Sequence, residues 1–244
     1  MSGHSHYSTI KRQKDVKDAQ KGKVFSKMSK AISIAIKAGG NADPESNYKL
    51  RMVIDTAKSM NMPKENIDRV INRAKSESEN LEEVYYEGYG PNGIAVIVEA
   101  ATDNRNRSAQ EIKNIFERGG GTLAGPGSVS YNFMTKGLLL VEKAADADAQ
   151  MLALIDLGVD DINDAGDVLE VYVAPDKTAE FRDLIMQKGF KVTSASIIKK
   201  PINLQLITDK DAVTKILKFL DNLEEYEDVQ NVFSNIDIPD DLVI

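Results

Sequence analysis

The hydrophobic period of this 244-residue chain changes at Glu82. That switch restricts it to folds in which a helical unit precedes units that mix strands and helices. Ahead of it, Val24, Phe25, Met28, Ile32, Ala35 and Ile36 recur at spacings of three and four, the repeat of an amphipathic helix that Gly39-Gly40 would stop. A second helix is expected after Asp43-Pro44, with Leu50, Val53, Ile54 and Ala57 on its stripe. A third opens at Asn61-Met62-Pro63, where proline suits the first turn because its missing N–H would be unpaired there anyway. Its stripe is Ile67, Val70, Ile71 and Ala74. The polar run KSESENL at residues 75–81 reads as a linker.

Beyond Glu82 the apolar residues alternate. Residues 84–89 and 94–99 read as strands joined by the turn Gly90-Pro91-Asn92-Gly93. A helix is expected over residues 108–118, ended by Gly119-Gly120-Gly121, and GSVSYNF at residues 127–133 reads as a further strand. Residues 136–200 give strand 138–141, helix 146–157, strand 159–162, strand 168–173, helix 178–188 and strand 191–199. That order is the split βαβ, or ferredoxin-like, pattern. Helix 211–223 and strand 229–233 cannot fold alone and are expected to return to the earlier sheet. The fold class is therefore α+β: a three-helix bundle and two α/β domains, the third inserted in the second. The expected boundaries are 1–78, 79–134 with 202–244, and 135–201.

Charge points to function. The protein is acidic, with a formal net charge of −7, yet Lys11, Arg12, Lys14, Lys17, Lys21, Lys23, Lys27 and Lys30 face only Asp15 and Asp18 between residues 11 and 30. An acidic body with a basic arm is expected to hold a polyanion at one end and repel it elsewhere. Lys11, Lys14, Lys17 and Lys21 would share one face of a helix, and such phosphate contacts position a nucleic acid without specifying its sequence. The arm also holds Tyr7 and the two histidines, His4 and His6, which suit polar or stacking contacts better than a metal, since no cysteine or carboxylate cluster accompanies them. Arg105 and Arg107, in Asp103-Asn104-Arg105-Asn106-Arg107, either enter a helix or fork a phosphate or carboxylate, and the two readings are compatible.

Other classes are disfavoured. With no cysteine there is no disulfide, thiolate metal site or thiol nucleophile. A serine triad would have to recruit a histidine from the N-terminus, and the paired carboxylates suit a solvated acidic surface, so no catalytic residue, metal or cofactor is expected. No apolar run reaches the roughly 18–20 residues of a membrane span, and the opening lacks a secretory core, so no membrane partner and a cytoplasmic location are expected.

Several motifs together resemble the YebC/PmpR family: Gly3-His4-Ser5, Lys23-Val24-Phe25-Ser26-Lys27, Gly39-Gly40 with Asp43-Pro44-Glu45, Asn61-Met62-Pro63, YEGYGPNG at 86–93, TDNRNR at 102–107 and GSVSY at 127–131. His6 and Tyr7 depart from that pattern, where lysine and tryptophan are expected. The resemblance implies the same three domains and a cytoplasmic, non-enzymatic regulator of gene expression. Members are described as DNA-binding transcriptional regulators, while others look like ribosome-associated translation factors acting at proline-rich sequences. The implied partners are DNA or ribosomal RNA through the arm, and the ribosome itself; a monomer is expected.

Overall fold

The computed structural model describes residues 21–76, 80–239 and 242. Among the described residues three helices come first: α1 (Lys21–Gly39), α2 (Tyr48–Ser59) and α3 (Lys64–Ser76). They enclose a core of their own, built from Ile32, Ala35, Ile36, Leu50, Ile54, Ala57, Met62 and Ile67. The junction of α1 and α2 is fixed by one buried amide. Asn47 accepts the Leu50 N–H at 3.1 Å as the α2 N-cap, and its Nδ2 donates to the carbonyls of Ala35 and Asn41 at 2.9 Å each. Only glycine fits beside it, because a Cβ on Gly39 would collide with the Asn47 amide.

The first sheet has the order β3-β1-β2-β9, antiparallel throughout, from β1 (Glu82–Tyr89), β2 (Ala95–Thr102), β3 (Thr122–Ala124) and β9 (Val229–Ser234). Helices α4 (Arg105–Gly119) and α7 (Lys210–Glu225) cover one face. Val96, Val98 and Ala100 of β2 pack there with Ile112, Ile216 and an edge-to-face pair, Phe116 and Phe219, whose centroids are 5.1 Å apart. The α4 helix ends where expected, at Gly120, whose φ of +80° is the left-handed value glycine adopts without strain.

The second sheet contains β4 (Phe133–Glu142), β5 (Asp161–Asp164), β6 (Val168–Val173) and β7 (Val192–Pro201) in the antiparallel order β5-β6-β4-β7. With α5 (Ala147–Ile155) and α6 (Thr178–Gln187) on its outer face, this is the ferredoxin-like unit that periodicity predicts. Its inner face packs on the first sheet: Leu138, Leu140, Val168, Tyr172 and Ile198 meet Ala95, Ile97 and Phe233. The alternate residues of β2 thus enter two different cores, which is why its sequence is apolar almost without a break. The chain returns through β9, paired with β2, as expected for a unit with another inserted in it. A short parallel pair, β8 (Gln205–Leu206) with β10 (Ile236–Asp237), borders this return.

One expected strand is not formed. Residues 127–132 make a loop and a single tight helical turn, and β4 begins at Phe133. The cause is Glu87, whose carboxylate accepts the N–H groups of Gly127, Val129 and Ser130 at 2.8 to 2.9 Å. With those donors held by a side chain, no strand ladder is available to them.

Candidate nucleic-acid interface

Positive charge is concentrated in the first third of the sequence. Residues 1–76 carry 16 Lys and Arg against 7 Asp and Glu, whereas the remainder carries 15 against 31. His4, His6, Tyr7, Lys11, Arg12, Lys14 and Lys17 lie outside the described residues, and Lys21 is the first residue of α1. Lys23 is exposed on the first turn of that helix, and Lys64, Arg69, Arg73 and Lys75 are exposed along α3.

Lys27 is turned onto the body of the protein. Its Nζ donates to the backbone carbonyl of Glu224 at the end of α7. Burial pulls this ammonium down to about 8, against the opposing pull of the Glu224 carboxylate. One turn further along, Lys30 donates to Asp228 Oδ1 at 2.5 Å and to the Glu227 carbonyl at 3.2 Å. The basic helix is therefore docked, through two lysines, on the acidic segment Glu224-Glu225-Tyr226-Glu227-Asp228.

Asp228 is the centre of that dock. Its side chain is fully enclosed. Besides Lys30 it receives Ser108 Oγ at 2.7 Å, Tyr226 Oη at 3.0 Å, Arg107 Nη2 at 3.2 Å and Thr102 Oγ1 at 3.3 Å. Burial pushes the carboxyl up, but hydrogen bonds from Lys30 and Ser108, joined by Arg107, outweigh it and hold the group at about 2.

Both arginines of the loop are engaged within the chain. Arg107 bridges Asp103 at 2.8 Å and Asp228 at 3.2 Å, and these carboxylates, with Tyr226, raise its already high pKa. Arg105 pairs with Glu82 at 3.1 Å, while its backbone carbonyl accepts Tyr86 Oη at 3.2 Å. Asn104 caps α4 by accepting the Arg107 N–H at 3.1 Å. The capping role is thus formed, and Arg107 Nη2 is turned onto carboxylates of the protein itself. Arg105 keeps 65% of its side-chain surface exposed.

Sequence reasoning missed Asp228 as a site. It is one of 38 acidic residues and its partners lie up to 198 positions away. The only local signal is an acid set directly before the apolar strand that begins at Val229. Glu99 was equally hidden. It lies on the β2 face that carries Ala95 and Ile97, and burial, followed by a hydrogen bond with Glu83, raises it to about 8.

The ferredoxin-like sheet is not a free platform, since its inner face is closed against the first sheet and its outer face carries α5 and α6. No helix among the described residues is long and apolar enough to cross a membrane.

Comparison with known proteins agrees with this architecture. Residues 5–77 match the TACO1/YebC N-terminal domain, and residues 81–236 match the TACO1/YebC second and third domain. A "probable transcriptional regulatory protein" of Dictyoglomus turgidum is 44% identical over 247 residues, covering 100% of this chain and 98% of that protein. One of the same description from Finegoldia magna is 43% identical over 240 residues, covering 97% of this chain and 99% of its own length. A solved structure, the conserved hypothetical protein Aq1575 of Aquifex aeolicus, superposes with a TM-score of 0.85 at 39% identity, over 91% of this chain and 93% of that one.

Proposed function

Because this chain belongs to the TACO1/YebC family, we propose that it is a non-enzymatic, nucleic-acid-binding regulator of gene expression whose N-terminal third grips the phosphate backbone. The observation that carries this reading is the segregation of charge: 16 basic against 7 acidic residues in positions 1–76, attached to a body in which acids outnumber bases two to one. Phosphate contacts to Lys, each releasing counterion, supply affinity at that end, and the acidic sheets repel the polyanion elsewhere. The descriptions of the relatives favour transcription as the regulated step.

A second reading, in which the polyanion is ribosomal RNA, draws on the composition of α1. Its sequence, KGKVFSKMSKAISIAIKAG, offers lysines but no Arg, Asn or Gln to read base edges. Lysine-phosphate contact suits RNA shape as well as duplex backbone.

The test is photo-crosslinking of the full chain to bound nucleic acid in cells, with the adducts mapped by mass spectrometry and the bound strands sequenced. Adducts within residues 1–76 are expected. Adducts confined to residues 80–239 would overturn the proposal, and the sequenced strands separate promoter DNA from ribosomal RNA.

A further inference from the structure

We propose that residues 224–228 are a built-in competitor for nucleic acid: the acidic end of α7 and the turn after it occupy Lys27 and Lys30 as a phosphate backbone would, so that engaging those lysines requires α1 to leave this dock. The inference rests on the nucleic-acid reading above and names how that interface is regulated.

The charges are complementary over a short stretch. Four of the five residues in 224–228 are carboxylates, and they face a helix whose charged residues are all lysines. Lys27 senses both Glu224 and Glu225, and Lys30 reaches Asp228 and the Glu227 carbonyl. The dock holds Lys27 poorly. A backbone carbonyl is its hydrogen-bond acceptor, and its depressed pKa shows that burial is not fully offset by the acids around it. A phosphate in solvent would give the same ammonium a full counter-charge.

The dock is also built to release. If Lys30 departs, Asp228 keeps Ser108, Tyr226, Arg107 and Thr102 as donors, so no buried carboxylate is stranded. The helical unit keeps its own core when it leaves. Two further ties to the body are polar as well: Arg182 Nη1 to Asp55 Oδ2 at 3.2 Å, and Lys37 Nζ to the Leu81 carbonyl at 3.1 Å. Asp55 keeps 51% of its side chain exposed, so water can replace Arg182 there.

The experiment compares the full-length protein with E224Q/E225Q/E227Q and with D148N/D156N/D176N, a control that removes the same charge from the inserted unit. Fluorescence anisotropy would use a labelled 20-base-pair DNA duplex and a labelled 20-nucleotide RNA. The first variant is expected to bind about tenfold more tightly at about 50 mM salt, with the gap closing above about 300 mM as screening shortens. The control is expected to gain less than about twofold, because it leaves the acids around Lys27 and Lys30 in place. In the wild-type protein, backbone amides of residues 223–229 should exchange faster with deuterium when the probe is bound. Equal gains in the two variants, no gain in either, or unchanged exchange at saturating probe would overturn the proposal while leaving the nucleic-acid reading intact. If neither the wild type nor the first variant bound either probe, the nucleic-acid reading itself would fall, and this inference with it.

Discussion

Lys30 Nζ lies 2.5 Å from Asp228 Oδ1, although 198 positions separate them in the chain. This pair joins the basic helical unit to the start of β9, but its two members are not equally dependent on it. Asp228 is enclosed and has four further donors, whereas Lys30 keeps 21% of its side chain exposed.

That asymmetry predicts unequal mutations. Asp228→Asn removes the charge on which Lys30, Arg107, Ser108 and Tyr226 converge and is expected to cost about 3 kcal/mol at neutral pH. Lys30→Met is expected to cost less than about 1 kcal/mol, since the carboxylate remains satisfied. Urea denaturation of both variants measures the difference, and equal losses would show that the pair acts as an isolated salt bridge. The pH dependence follows from the same group. Its folded pKa of about 2 lies below the ordinary carboxylate value of 3.8, so its contribution is fully present above about pH 4 and is lost as the pH falls through 2. Asp228→Asn should flatten the acid limb of the stability profile.

Glu99 predicts the opposite slope. Burial and the neighbouring Glu83 raise it from 4.5 to about 8, so the folded protein retains a proton that the unfolded chain releases. Stability at this site therefore declines as the pH rises from about 4.5 towards 8. Glu99→Gln replaces the carboxyl O–H donor with an amide N–H and abolishes the titration. The variant is expected to melt at a higher temperature than the wild type at pH 9, with the difference shrinking towards pH 5. Scanning calorimetry at the two pH values decides it, and parallel curves would mean that Glu99 is ionised in the native protein.

The two loop arginines separate a structural from a recognition role. Arg107→Lys shortens the side chain, so the ammonium cannot take the place of Nη2, which alone reaches both Asp103 and Asp228, and the melting temperature should fall. Arg105→Lys retains a surface partner in Glu82 and should leave melting unchanged. If Arg105→Lys nonetheless weakened nucleic-acid binding at an unchanged melting temperature, the exposed guanidinium would be a contact in its own right.

Local periodicity made much of this fold legible. The stripes Ile32–Ile36 and Leu50–Ala57, the turn at Gly90-Pro91-Asn92-Gly93 and the βαββαβ order of residues 136–200 each depend on neighbours within a few positions. The loop at 127–132 was opaque because its backbone is claimed by Glu87, some 40 residues earlier. Apolar alternation reads the same whether the N–H groups meet a ladder or a carboxylate. The basic arm was legible as composition, but not the turning of Lys27 and Lys30 onto the protein's own acids, since that depends on where β9 brings residues 224–228. The burial of Glu99 was hidden for a related reason. Only the packing of two sheets face to face makes its side of β2 an interior.

A phosphate backbone held by the N-terminal third should betray itself most directly in the salt dependence of binding to a labelled nucleic acid. The comparison is between the full chain and a K11A/K14A/K17A/K21A variant. A slope shallower by about three to four units of log affinity per log salt is predicted, near 0.9 for each duplex phosphate that the variant no longer neutralises, together with much weaker binding at about 150 mM salt. An unchanged slope and affinity in the quadruple variant would contradict the account and place the interface elsewhere on the molecule.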